Sequence, residues 1–140
     1  MKISIIFWSG TGNTEAMAEA IKEGAENNDA EVLFKSVEKA TMTDAVYADG
    51  ILLGCPSMGD EVLEESEFEP YLESIEDKLQ GKKVGLFGSY GWGDGQWMRD
   101  WSERMKKAGC EFVCESLIVN EMPDDAELEQ CREFGKKAAA

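Results

Sequence analysis

What most constrains this chain is the alternation, from end to end, of short unbroken apolar runs with segments of helical periodicity. Lys2 to Trp8 is almost continuously apolar, and so is Gly50-Ile51-Leu52-Leu53-Gly54-Cys55. Strands that read this way are buried on both faces, the condition of a parallel sheet covered by helices on either side. Further strands are expected near Glu31–Val37, Lys83–Gly88 and Glu111–Val119. Between them, Met17, Ala18, Ile21 and Ala25 fall on one face of a helix that Asn27-Asn28-Asp29 ends with turn chemistry. Phe68, Tyr71, Leu72, Ile75 and Leu79 share a second helical face, and Trp97, Met98, Trp101, Met105 and Ala108 a third that closes at Gly109. One short helical turn is expected over Thr43–Ala48. Ser66 with Glu69, and Asp124 with Glu127, have the spacing of capping boxes, with Pro70 tolerable only in a first turn.

Five strands alternating with about four full helices predict a three-layer α/β fold around a doubly wound parallel sheet. Right-handed crossovers then bring the loops after the strands to one edge, where such folds bind ligands. The sequence has no linker, repeat or low-complexity tract, so residues 1–140 are read as a single domain.

Charge and the missing residue types narrow the function. Asp and Glu number 29 against 14 Lys and Arg, a net charge of −15, which disfavours nucleic acid and anionic membranes and favours basic partners. Histidine is absent, which removes Ser-His and Cys-His nucleophiles, His general bases and His-ligated metals. None of the four cysteines forms a C-x-x-C pair, and Cys55 and Cys114, in strand-like runs, are expected as small buried thiols. The apolar run after Met1-Lys2 is too short for a signal peptide, so a cytoplasmic monomer with reduced thiols is expected.

Three of the expected loops carry unusual chemistry. Ser9-Gly10-Thr11-Gly12-Asn13-Thr14 offers hydroxyls, an amide and backbone N–H groups at a helix start, the makeup of an anion site. No G-K-[ST] follows, and Glu15 stands where a dinucleotide fingerprint needs its third glycine. Neutral donors without a cation suit a terminal phosphate held permanently, not one that is transferred. Pro56-Ser57-Met58-Gly59-Asp60-Glu61 places a polarizable apolar side chain at a loop apex, beside a glycine free to adopt more than one backbone arrangement. Ser89-Tyr90-Gly91-Trp92-Gly93-Asp94-Gly95 combines glycines with two aromatics, which lets a flat ring lie against main chain and side chain together. Together the loops describe a phosphate at one end and a planar ring between Met58 and Trp92 at the other.

Ser9–Thr14, Met58-Gly59-Asp60-Glu61 and Gly88-Ser89-Tyr90-Gly91-Trp92-Gly93 resemble the three FMN-binding loops of flavodoxins, most closely the short-chain, clostridial type, over essentially the whole chain. Pro56 departs from relatives with a hydroxyl residue at that position. The resemblance implies a flavodoxin-like sheet of strand order 2-1-3-4-5. It implies FMN with its phosphate on Ser9–Thr14, the hydroxyls of Ser9, Thr11 and Thr14 donating, and its ring between Met58 and Trp92. Ser57, Asp60, Ser89 and Gly93 complete these loops, Glu61 and the backbone of Tyr90, Gly91 and Trp92 address the ring's polar edge, and Asn120 approaches the ribityl chain. The peptide after Gly59 is expected to turn toward the flavin in the semiquinone. The implied function is low-potential one-electron transfer between semiquinone and hydroquinone. The implied partners are redox proteins with basic docking patches, both reductase donors and low-potential acceptor enzymes.

Asp60–Asp77 holds nine acidic residues and no basic one, read as a solvated helix face and as a negative rim around the flavin edge. An FMN-dependent reductase is the alternative, disfavoured by the lack of a pocket-forming insertion, a second nucleotide fingerprint or histidine. A receiver-like signalling module is rejected, because it needs acids after strand one, where Ser-Gly-Thr-Gly-Asn stands, and a lysine near Ile118-Val119-Asn120.

Overall fold

The structure, a computed structural model, describes all residues from Met1 to Ala140. The elements run β1 (Lys2–Phe7), α1 (Asn13–Asn27), β2 (Glu31–Ser36), α2 (Met42–Val46), β3 (Gly50–Gly54), α3 (Phe68–Glu76), β4 (Lys83–Tyr90), α4 (Gln96–Lys107), β5 (Glu111–Phe112), β6 (Leu117–Asn120) and α5 (Asp125–Ala138). One turn of 3₁₀ helix, Val37–Lys39, follows β2. The sheet is parallel in the order β2-β1-β3-β4-β5, with β6 pairing β4 farther along the same edge. This is the doubly wound order expected from the sequence.

The buried strands divide the interior into two layers. Ile6, Ile51, Leu53, Val84 and Leu86 pack with the apolar faces of α3 and α4, while Ile3, Ile5, Leu52 and Phe87 pack with those of α1 and α5. The expected α1 face, Met17, Ala18, Ile21 and Ala25, is fully buried. On that side α1 and α5 touch backbone to backbone. A Cβ at Gly24 would overlap the Arg132 carbonyl, and one at Gly135 the Ile21 carbonyl.

Four local expectations are corrected. The fifth strand is broken: Val84 pairs Phe112 and Phe87 pairs Leu117, so the four residues Val113–Ser116 face only Gly85 and Leu86. The surplus forms a wide bulge, and the Ser116 hydroxyl there meets that of Ser102 on α4 at 2.9 Å. Cys114 lies in this bulge and is half-buried, whereas Cys131 on α5 is buried. β4 runs on past Gly88, so Ser89 and Tyr90 are strand residues paired with Val119 and Asn120 rather than loop residues. Ser66 and Glu69 do not cap α3. The Glu64 carboxylate does, accepting the amide protons of Ser66, Glu67 and Phe68 at 2.8 Å each. Pro70 fits because it stands third in the helix, where no intrahelical N–H bond is lost. The Asp124–Glu127 capping box forms as expected.

Candidate cofactor site

The strand order reverses direction beside β1, and the loops after β1, β3 and β4 converge there at the carboxyl edge of the sheet. They enclose a cavity of about 500 Å³ lined by Trp8 to Thr11, Asn13 and Thr14, Pro56 to Met58, Ser89 to Gly91, and Glu121 with Met122.

Gly12 starts α1 in the left-handed region, φ 95°, which bends the loop back over the helix end. The Ser9 hydroxyl oxygen accepts the amides of Gly12 and Glu15, both at 3.2 Å. Both lone pairs are then used, so its proton is left to donate outward. The amides of Gly10, Thr11, Asn13 and Thr14 have no acceptor within the protein. Four free N–H groups at a helix N-terminus, joined by neutral hydroxyls, make a site for an anion. Thr14 is buried and its hydroxyl lies 3.0 Å from that of Ser89. The 9–14 loop is thereby tied to β4, and Thr14 is less open than a surface donor.

The second loop is held at both ends. Ser57 N–H donates to the Ser89 carbonyl at 3.0 Å, and Met58 N–H to the Val62 carbonyl at 2.9 Å. Inside that frame Glu61 N–H donates to the Met58 carbonyl at 2.7 Å, closing a tight turn over Gly59 and Asp60. Here the left-handed residue is Glu61, φ 55°. Gly59 stays outside that region, and a Cβ on it would meet nothing within 4 Å. The turn as folded therefore does not require glycine at 59.

Glu61 reaches across to the third loop. A Cβ at Gly93, φ 84°, would collide with its carboxylate, and its Oε1 is buried without a hydrogen-bond partner. A buried carboxylate oxygen without a donor is able to accept a ligand N–H. Trp92 stands 61% exposed and free to cover a ring, whereas Tyr90 packs against Trp97 with ring centres 5.7 Å apart. The Asn120 amide nitrogen donates to the Tyr90 carbonyl at 3.2 Å, beside the Glu121 amide at 2.8 Å on the same oxygen. Sequence reasoning missed Trp8, which folds its ring edge over Gly10, and Glu121 and Met122, whose only signal is their place just after β6.

Four of the nine acids of Asp60–Asp77 are engaged within the molecule. Glu64 caps α3, Glu67 accepts the Trp8 indole N–H at 3.1 Å, and Glu69 and Glu76 both grip Arg104 of α4. Only Asp60 and Glu61 belong to the turn beside the cavity, so the negative rim there is narrower than the count of nine suggests. Burial pushes the thiols of Cys131 and Cys110 up, to about 12 and about 11.

The flavodoxin family profile matches residues 5–135. The chain belongs to the flavodoxin family. It is 54% identical to a flavodoxin of Clostridium beijerinckii over 98% of this chain and 99% of that one, and 49% identical to one from Megasphaera elsdenii over 98% of each. The solution structure of the two-electron reduced Megasphaera elsdenii flavodoxin superposes with a TM-score of 0.89, covering 98% of both chains at 47% identity. Flavodoxins are electron-transfer proteins that bind FMN, and this sets the reductase alternative aside. The residues of this site suit such a cofactor: unused amides and outward hydroxyls for a phosphate, and an orphaned carboxylate oxygen for a ring N–H. No helix of this flavodoxin is long and apolar enough to cross a membrane.

Proposed function

We propose that this chain carries single electrons at low potential between redox proteins, using FMN seated in the cavity between its three loops. The observation that carries this reading is the set of four amides without acceptors at the wall of this cavity, with a buried Glu61 oxygen without a donor on the turn that follows Met58. Ser9, Gly10, Thr11, Gly12, Asn13 and Thr14 hold the phosphate by neutral donors. Met58, on the turn with Gly59 and Asp60, and Trp92 flank the ring. Glu61 takes a ring N–H, Gly93 leaves room for that carboxylate, and Ser57, Ser89, Tyr90 and Gly91 supply the remaining wall. The bound FMN supplies the redox chemistry, and the chain contributes position, exclusion of water and charge. Negative charge added in an apolar slot beside the Asp60–Glu61 turn is poorly solvated and repelled, which lowers the potential at which the second electron enters.

Apoprotein titrated with FMN is expected to bind one equivalent, with visible absorbance changes that saturate at 1:1; a chain that takes up no FMN contradicts the reading. The partners are proteins with basic docking patches, steered by the net charge of −15, and the setting is cytoplasmic. Electron transfer to a basic partner is expected to slow as ionic strength rises from about 0.01 to 0.15 M, because the screening length falls from about 30 to 8 Å. A stopped-flow rate independent of salt rules out steering.

A further inference from the structure

The contacts around Thr14 assign a role to Ser89 that its place in a strand does not advertise. Thr14 is 1% exposed and Ser89 is 4% exposed, yet both border the cavity. Their hydroxyl oxygens are 3.0 Å apart, and the Ser89 backbone N–H points to the Thr14 oxygen at 3.4 Å. That amide can only donate, so the Thr14 oxygen is already an acceptor. A hydroxyl oxygen has two acceptor sites and one proton. If Ser89 Oγ–H fills the second acceptor site, the Thr14 proton has no protein acceptor in this pair and is directed into the cavity. Ser9 shows the same device nearby, its oxygen saturated by the amides of Gly12 and Glu15.

We propose that Ser89 is a positioning residue for phosphate binding: through its amide and hydroxyl it saturates the Thr14 oxygen and so makes Thr14 an obligate donor to a phosphate in the 9–14 loop. This rests on the reading of that loop as the FMN phosphate site. The device has a physical purpose. A free hydroxyl before a dianion must be reoriented and loses alternative hydrogen bonds, whereas one with both lone pairs occupied is arranged in advance. A loop without Lys or Arg depends on such preparation, since it has no point charge to offer.

The test compares dissociation constants of FMN and riboflavin, which differ only by the phosphate, for apoprotein of the wild type, Ser89→Ala, Thr14→Val and the double variant. In Ser89→Ala the preference for FMN over riboflavin is expected to fall about tenfold, because a hydrogen bond to a charged group loses its alignment. In the Thr14→Val background the same change is expected to leave the preference unaltered, since its effect passes through Thr14. An unchanged preference in Ser89→Ala, an equal loss for both ligands, or a full effect in the Thr14→Val background each overturns the assignment. A wild type that binds FMN no better than riboflavin overturns the phosphate reading itself, which is a separate result. A second measurement needs no variant: in the wild-type FMN complex, NMR is expected to show the Thr14 hydroxyl proton protected from exchange and coupled to phosphorus. A proton coupled only to Ser89 contradicts the proposal.

Discussion

Gly135→Ala is expected to destabilise the protein by about 3 kcal/mol, in the opposite direction to the effect of the same change on an exposed helix. Alanine is the better helix former by about 1 kcal/mol, so in an unpacked α5 it would stabilise. Here the added methyl meets the backbone of α1: its Cβ would overlap the Ile21 carbonyl and stand 2.8 Å from the Ala25 nitrogen. A backbone carbonyl already bonded within its helix cannot rotate away as a side chain does. The two helices must separate, and the buried layer of Met17, Ile21, Phe134 and Ala138 between them opens with them. Gly24→Ala strikes the same contact from the other side, at the Arg132 carbonyl. The double variant is therefore expected to lose less than the sum of the singles, because one separation serves both. Thermal unfolding checks this: the single variants should melt about 10 °C lower, at about 2–4 °C per kcal/mol for a domain of this size. A melting point equal to or above the wild type's rejects the close helix crossing.

Replacing the Glu64 carboxylate should have the second largest effect. Its residue is 7% exposed, and its two oxygens take the amides of Ser66, Glu67 and Phe68 at the start of α3. Its own N–H donates to Cys55 Sγ at 3.4 Å, so it pins both ends of the segment that carries Met58 to Glu61. Glu64→Ala leaves three amides at a helix N-terminus without an acceptor, which is expected to remove about 2–3 kcal/mol. Glu64→Gln keeps one acceptor oxygen and should lose about half of that. Burial alone would raise the carboxyl's pKa, but the amides of Phe68, Glu67 and Ser66 outweigh it and hold it below the usual value. The sign follows. An unfolded Glu titrates near about 4.3. The contribution of Glu64 is therefore complete above that pH and is lost as pH falls through the lower folded value. Denaturant titrations at a series of pH values should show wild-type stability falling below about pH 4.3, and falling less steeply in Glu64→Gln. Asp44 and Asp94, also held low by hydrogen bonds, keep the slope from vanishing. A variant as stable as the wild type at neutral pH, with an unchanged acid slope, contradicts the brace.

Glu64 also shows where the sequence stops being legible. The β strands and helix faces could be read because burial writes itself as periodicity, and Met17 to Ala25 and Trp97 to Met105 fell where the spacing put them. The three loops were legible because glycines, hydroxyls and a free tryptophan cluster where little else requires them. The capping of α3 was not, because Ser66 and Glu69 have the local spacing of a box while Glu64, four residues before the helix, has the geometry. The break in the fifth strand was hidden for a related reason. Its apolar residues continue through Val113 and Cys114, and only the register against β4 exposes two surplus residues. Asn120 and the Thr14–Ser89 pair lie 30 and 75 residues from their partners in the chain. No local pattern announces such contacts; they are made by the parallel stacking of strand ends.

The acidic run teaches the same lesson about charge. Counted along the chain, nine carboxylates suggest a broad negative field, yet Glu64, Glu67, Glu69 and Glu76 serve the packing of α3. On the turn that follows Met58 stand only Asp60 and Glu61, held between Met58 and Val62. Under the proposed function, the tuning of the cofactor falls to these two residues and to the apolar walls more than to the whole segment.

The central claim is that this cavity holds FMN so that its two electrons enter one at a time. An anaerobic redox titration of the FMN-loaded protein, followed by its visible spectrum, tests that directly. The expected result is two resolved one-electron steps, with the second displaced below that of free FMN. A single two-electron step at the potential of free FMN would contradict the account.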